Sequence, residues 1–144
     1  MARYRPIPLA IMACALLPLS MLGGTASRDS LDEQLDIMAE SNGLSRVSHL
    51  LYRDWLSEGS HQLVGFDLES DTRYTLLGAC DPDCSDLDFE FLRPDGATMR
   101  RSTESGGRPV LHIETSKAGK YQLRAIMQRC RLQPCEWGAR VYRR

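Results

Sequence analysis

The spacing of apolar residues changes along the chain, and the first part has a helical period. After a capping box formed by Ser30 and Glu33, apolar side chains recur three or four residues apart, at Leu31, Leu35 and Met38. Asn42-Gly43 follows, and glycine tolerates the left-handed conformation that commonly ends a helix. The pattern therefore predicts a helix over residues 30–41.

Residues 44–57 fit two patterns. Their apolar positions, Leu44, Val47, Leu51 and Trp55, share one face of a helix. A short strand over residues 52–56 fits nearly as well. We therefore predict that residues 27–57 form a helical N-terminal segment, with the short strand as the open alternative.

From residue 61 onward, apolar and polar residues alternate. Short strands are predicted at 61–68, 73–80, 86–93, 97–102, 109–115, 121–130 and 136–144. The alternation is strictest at 86–93, where Asp88 and Glu90 are expected to face water. Turn signals separate the strands every 8 to 12 residues, as in antiparallel sandwiches and barrels. Residues 58–144 are thus predicted to form a mainly β domain, an antiparallel β-sandwich.

The N-terminus has the three parts of a secretory signal peptide. Arg3 and Arg5 precede an apolar run, and the small residues around Ala26 form a cleavage site. Residues 1–26 are therefore predicted to be a signal peptide, which makes the protein periplasmic or secreted. A retained membrane anchor and lipoprotein processing at Cys14 are the alternatives, and membrane attachment is expected only through an uncleaved signal.

The charge of the chain bears on its partners. Loss of Arg3 and Arg5 would leave 16 of the 18 basic residues against 19 acidic ones, a net charge of −3. That balance excludes a strong electrostatic attraction to nucleic acid. The charge is uneven, because residues 81–95 contain six acids and residues 117–144 contain eight basic residues. We expect these two blocks to face each other.

Four cysteines remain after removal of the signal peptide: Cys80, Cys84, Cys130 and Cys135. An even number of cysteines in an exported chain favours structural disulfides. If the hairpins alternate in direction, both cysteine pairs lie at the same rim of the sandwich. Pairing within each short loop is favoured and pairing between the loops stays open. Redox chemistry usually needs a C-x-x-C spacing at a helix start, which is absent, and zinc suits the spacing but is disfavoured because export favours oxidation of the thiols.

The aspartates beside the first cysteine pair suggest one candidate metal site. Asp83, Asp86 and Asp88 carry the hard oxygen ligands that calcium prefers. The spacing is not that of an EF-hand, and Asp81-Pro82 and Ser85-Asp86 also suit turns. Calcium is thus an alternative, and no other cofactor is predicted.

The chain from Tyr74 onward resembles the bacterial pre-peptidase C-terminal (PPC) domain family, in its cysteine-containing exported branch. The matching residues are YTLLGACDPDC (74–84), SDLD (85–88), Pro94-Asp95-Gly96, Pro109-Val110, Gly119-Lys120-Tyr121, Leu123, Met127, Cys130, Pro134 and Cys135. The resemblance implies a jelly-roll-like β-sandwich that is accessory to other proteins and not itself catalytic. Some relatives bind calcium through loop aspartates, but residues 102–108 here contain one acid, Glu104, where relatives tend to have several.

No motif of a hydrolase, zinc protease or phosphate-binding loop is present in the sequence. The histidines, His49, His61 and His112, have no neighbouring catalytic pattern. The prediction is therefore an exported, non-enzymatic module that binds a protein, peptide or glycan, with its partner and oligomeric state open. Trp137 is interpreted as a core residue, with a partner contact at the rim as the alternative.

Overall fold

The computed structural model describes residues 26–44, 49–102 and 104–144. The elements are α1 (Ala26–Ser41), β1 (His49–Leu56), β2 (His61–Leu68), β3 (Thr72–Cys80), β4 (Cys84–Leu92), β5 (Thr98–Arg101), β6 (Val110–Thr115), β7 (Gly119–Cys130) and β8 (Cys135–Arg143). The predicted signal peptide, residues 1–26, lies outside the described residues apart from Ala26. Within the described ranges, no helix combines the length and the apolar character that crossing a membrane requires.

The strands form two antiparallel sheets of four, in the orders β1-β8-β3-β6 and β2-β7-β4-β5. The consecutive strands β1 and β2, β3 and β4, β5 and β6, and β7 and β8 lie in opposite sheets. Eight strands that alternate between two facing sheets in this way form a jelly roll. The prediction of a mainly β, jelly-roll-like sandwich with an N-terminal helix is confirmed.

The alternating side chains of the strands fill the space between the sheets. Leu87, Phe89 and Phe91 point inward from β4, as their pattern predicted, and are fully buried. Phe91 stacks on Tyr121 of β7 with ring centroids 5.7 Å apart. Trp137 is fully buried in the same core, so the interpretation of this residue as core was correct.

Helix α1 covers the outer face of the sheet that contains β3 and β8. The three predicted apolar positions, Leu31, Leu35 and Met38, are buried there against a second apolar cluster that includes Leu77, Ala79 and Tyr142. Gly138 permits this close approach, because a Cβ at that position would lie 3.0 Å from Leu31 Cδ2. The helix therefore belongs to the packed body of the molecule.

The predicted helix end is also found. Gly43 has φ +65°, and the Leu44 N–H donates to the Ala39 carbonyl at 2.9 Å. This left-handed glycine cap ends the helix at Ser41 as expected. The start differs, since the helix begins at Ala26, four residues before the predicted position.

The prediction of a helical segment over residues 27–57 holds only for its first part. Residues 49–56 form strand β1, which pairs with β8 along its whole length. The boundary at residue 58 therefore cuts through the sandwich, which includes β1. The open alternative, a short strand over 52–56, was closer to the structure, because pairing with β8 outweighs a spacing that also suits a helix.

Glu90 was expected to face water, and this prediction is wrong. Its register neighbours on both sides are arginines, Arg101 of β5 and Arg124 of β7. Both donate to the Glu90 carboxylate at 2.8 Å, and Thr98 donates at 2.6 Å, so the glutamate is only 3% exposed. The expectation that the acidic block at 81–95 faces the basic block at 117–144 is correct for the Glu90–Arg124 pair.

This arrangement makes folding sensitive to acid. The hydrogen bond from Thr98 and the hydrogen bond and charge of Arg101 lower the pKa of Glu90 from 4.5 to about 2, although burial opposes the shift. A lowered pKa adds stability that is complete above pH 4.5 and is lost as the pH falls toward 2. The half-exposed arginines weaken the effect by solvent screening, so we expect Glu90→Gln to cost about 2 kcal/mol at pH 7.

Urea denaturation at pH 7, 4 and 2.5 measures this contribution. The difference between wild type and Glu90→Gln should shrink as the pH falls. Glu114→Gln is the matched control, because its 3.6 Å ion pair with Arg73 joins two exposed side chains and should contribute less than about 0.5 kcal/mol. A difference for Glu90→Gln that does not depend on pH would contradict the assignment.

Candidate functional site

Both cysteine pairs lie at one rim of the sandwich, as the hairpin directions predicted. Disulfides join Cys80 to Cys84 and Cys130 to Cys135, each with Cα atoms 5.9 Å apart. Each bond closes the loop between two consecutive strands that lie in opposite sheets, so of the two pairings left open the local one is found. Cys84 is directly opposite Cys130 in the β4–β7 ladder, which places the two loops side by side.

Asp81 fixes the loop between β3 and β4 and ties it to the start of β8. Its Oδ1 accepts hydrogen bonds from the N–H groups of Asp83 and Cys84, both at 3.1 Å. Its Oδ2 accepts from the Glu136 N–H at 2.7 Å, and its own N–H donates to the Glu136 carbonyl at 2.9 Å. Asp81 therefore stabilises a turn. The sequence had offered this role for Asp81-Pro82 as the alternative to calcium binding.

The three aspartates considered for calcium bind three different neighbours. Asp83 accepts from Arg131 at 2.6 Å and thereby links the two cysteine loops. Asp86 accepts from the Gly106 N–H at 3.2 Å, and Asp88 accepts from Gln128 Nε2 at 2.8 Å. Each carboxylate therefore connects β4 or its preceding loop to another part of the sandwich.

Among the residues that the structure describes, no three His, Cys, Asp or Glu side chains are grouped so that they could hold a metal ion. Calcium binding at Asp83, Asp86 and Asp88, the alternative drawn from the sequence, thus stays a hypothesis. We expect the melting temperature in millimolar calcium to lie within about 1 °C of that in EDTA, because a ligand stabilises a fold only by binding its native state. A rise of several degrees that Asp86→Asn removes would restore the calcium hypothesis.

A cleft opens beside the Cys80–Cys84 disulfide, and the β5–β6 loop forms its wall. This loop is described at residues 104–109 and crosses from one sheet to the other. The Gly106 carbonyl accepts from the Leu87 N–H at 3.0 Å, and the Pro109 carbonyl accepts from the Gly78 N–H at 2.8 Å. The loop is therefore bonded to β4 on one side and to β3 on the other.

Gly107 lets this loop lie directly on the disulfide. A Cβ at Gly107 would be 2.6 Å from Cys80 Sγ, closer than atoms can pack. The sulfur is held by its bond to Cys84 and has little freedom to move away. A glycine is therefore required at 107 for the loop to keep its position.

We call this feature the stapled cleft, and its volume is about 750 Å³. The residues that line it include Gln34, Asp81, Arg101, Glu104, Ser105, Arg108 and His112. Arg108 Nε donates to Gln34 Oε1 at 3.2 Å, which connects the loop to helix α1. The cleft thus presents guanidinium, carboxylate and hydroxyl groups on a loop that is hydrogen-bonded to both sheets and to helix α1.

The groups of the stapled cleft are suited to binding. Cys80 and Cys84 are oxidised and offer no thiol nucleophile. His112 Nδ1 lies 3.0 Å from Thr75 Oγ1 on the outer face of its sheet, as expected for a histidine that covers a sheet. The sequence had pointed to Asp81 and to residues 102–108 but not to Gln34, whose helix joins the site only through tertiary packing.

Comparison with known proteins supports the fold and leaves the family open. No protein-family model matches the chain, and no curated protein matches it. Membership of the PPC family therefore stays a prediction. Among solved structures, the chain is similar to PliG of Aeromonas hydrophila, a periplasmic lysozyme inhibitor of g-type lysozyme, with a TM-score of 0.51 and 10% sequence identity. The alignment covers 67% of this chain and 86% of PliG, and it shows that the two share a fold.

Proposed function

We propose that this protein is an exported, non-catalytic module that binds another protein through the stapled cleft. The observation that carries the proposal is the fixation of the β5–β6 loop by hydrogen bonds to β3 and β4 and by contact with the disulfide. A loop that is already ordered loses little entropy when a partner binds, so its polar groups can contribute to affinity.

The compartment and the kind of partner have separate support. Disulfides form and persist in oxidising compartments, and two are present here. PliG, a solved structure with a similar fold, is a periplasmic inhibitor of g-type lysozyme. Both agree with export, and PliG favours a protein partner over the peptide or glycan that the sequence also allowed.

Cross-linking capture from the native host tests the proposal. Tagged wild-type protein, exported by its own signal, is cross-linked in cells, and the captured proteins are quantified by mass spectrometry. We expect one or a few proteins to be enriched by the wild type and reduced about tenfold by Arg108→Glu, which reverses a charge in the cleft.

Lys117→Glu is the matched control, because it makes the same charge change at the β6–β7 turn, where an exposed lysine lies at the end of the sandwich away from Cys80. This variant should capture the same partner as the wild type. Purified g-type lysozyme is a defined first partner to assay for inhibition. Capture that is equal for wild type and Arg108→Glu, or no enrichment over an unrelated exported protein, would overturn the proposal.

A further inference from the structure

A second hollow lies on the other side of helix α1 from the stapled cleft. Its volume is about 390 Å³, and it is lined by Leu51, Arg53, Asp54 and Trp55 of β1 and by Glu136 of β8. Trp55 is 52% exposed and Leu51 46% exposed, although both are large and apolar. An edge strand that holds two such side chains in water beside a hollow is a candidate contact surface. We call it the Trp55 hollow.

Glu136 in this hollow has an unused hydrogen-bond acceptor. It is directly opposite Trp55 in the β1–β8 ladder and is only 4% exposed. Its Oε2 has no hydrogen-bond partner among the described residues, and its Oε1 lies 4.0 Å from a nitrogen of Arg53. A buried carboxylate oxygen without a donor is costly, so a donor supplied by a ligand would be bound strongly.

Among the described residues, negative charge is in excess in and beside the Trp55 hollow. Asp54, Glu136 and Arg53 line the hollow, and Asp32, Asp36 and Arg140 are connected to Arg53 by a chain of ion pairs. Arg140 pairs with both Asp32 and Asp36, and Arg53 pairs with Asp32. The arginines are thus already engaged with helix α1, and the formal surplus among these described groups is two negative charges.

Asp54 adds to this surplus in its ionised form. Hydrogen bonds from Gln62, from the Trp55 N–H and from Tyr52 lower the pKa of its carboxyl group. The Gln62 and Tyr52 contacts measure 2.7 and 3.0 Å. They hold the carboxylate in place at the free edge of β1.

We propose that the Trp55 hollow binds a lysine or arginine side chain of a partner protein. The Trp55 ring offers its face to the cation and its surface to the aliphatic stem. On binding, the Glu136 side chain turns so that Oε2, which is buried in the free protein, accepts a hydrogen bond from the cationic head, and Asp54 contributes charge. The basic occupant is favoured over an apolar one by the surplus of carboxylates and by the unpaired acceptor.

Fluorescence anisotropy with fluorescein-labelled tetra-arginine tests the proposal on the mature protein, and labelled tetra-glutamine and tetra-glutamate serve as comparison peptides. We expect saturable binding of tetra-arginine alone, weakened by raising the salt from 50 to 300 mM. Trp55→Ala should weaken it about threefold, and Glu136→Gln about tenfold.

Two variants control for general effects. Leu63→Ala removes another exposed apolar side chain, on β2, and Glu114→Gln removes an exposed acid on β6; neither should change the affinity. Arg108→Glu in the stapled cleft should also leave peptide binding intact, so the two proposals fail independently. Far-UV circular dichroism of each variant verifies the fold.

Three results would overturn the inference. The first is an affinity for tetra-arginine that Trp55→Ala and Glu136→Gln leave unchanged. The second is a loss in Glu114→Gln as large as that in Glu136→Gln, which would indicate general attraction to an acidic surface. The third is a concentration-dependent dimer in sedimentation that Trp55→Ala dissociates, with no peptide binding, which would make the hollow an interface between two copies.

Discussion

Trp137→Ala is expected to lower the free energy of unfolding by about 4 kcal/mol, the loss typical of removing a fully buried large aromatic side chain. Trp137 is 0% exposed and lies between the sheets. Its ring is 5.3 Å from that of Tyr52 and 6.1 Å from that of Phe89, measured between centroids. The truncation would therefore remove contacts with both sheets and leave a cavity that these rigid rings cannot fill.

Trp137→Phe separates the packing contribution from the polar one. The indole Nε1 is buried and has no hydrogen-bond partner among the described residues. Phenylalanine loses volume but also removes this unpaired donor, so we expect a cost of only about 1 kcal/mol. Urea denaturation followed by far-UV circular dichroism gives both values, and equal losses for the two variants would show that ring packing is not the main term.

The core was predictable because its signal is local. Strict alternation in residues 86–93 specified which side chains of β4 point inward, since successive residues of a strand face opposite sides. The helix face at Leu31, Leu35 and Met38 was found in the same way. The alternating direction of consecutive strands then placed both cysteine loops at one rim, where Cys84 is opposite Cys130.

The features that were missed depend on neighbours distant in sequence. Strand β1 has few inward apolar residues, and its exposed Leu51 and Trp55 also suit a helical spacing. Its identity comes from pairing with β8, whose partner residues lie 79 to 93 positions later in the chain. Glu90 belongs to an alternating pattern that indicates exposure, and only the strands on either side, with Arg101 and Arg124, make it buried.

The same difference between local signals and contacts distant in sequence applies to the two candidate sites. Asp81 and the Gly106-Gly107 pair could be singled out from local sequence, because turn chemistry is local. The cleft itself needs Gln34, which meets Arg108 at a sequence distance of 74 residues. The Trp55 hollow needs Glu136, which reaches Trp55 only through the β1–β8 ladder. Neither concavity could have been inferred before the topology was known.

Removal of both disulfides is expected to destabilise the fold by about 4 kcal/mol or slightly more. The bonds close loops with sequence separations of 4 and 5, and chain-entropy arguments assign about 2 kcal/mol to each loop of this size. The loops are coupled, because Asp81 bonds the Glu136 backbone and Asp83 pairs with Arg131. Each intact loop therefore supports the other, and the loss from removing both should exceed the sum of the two single losses.

Urea denaturation of Cys80→Ala/Cys84→Ala, Cys130→Ala/Cys135→Ala and the quadruple variant completes this double-mutant cycle, with alanine chosen so that no hydroxyl is buried. The two pairs should differ in their effect on the stapled cleft, since Gly107 packs on Cys80 Sγ and no described contact links the β5–β6 loop to Cys130 or Cys135. Amide hydrogen exchange at residues 104–108 should accelerate in the Cys80/Cys84 variant and stay near the wild-type rate in the Cys130/Cys135 variant. A quadruple variant as stable as the wild type would show that the hydrogen bonds of Asp81 and Asp83 suffice to hold the rim. Equal exchange rates in the two double variants would show that the Cys80–Cys84 disulfide does not hold the loop of the stapled cleft in place.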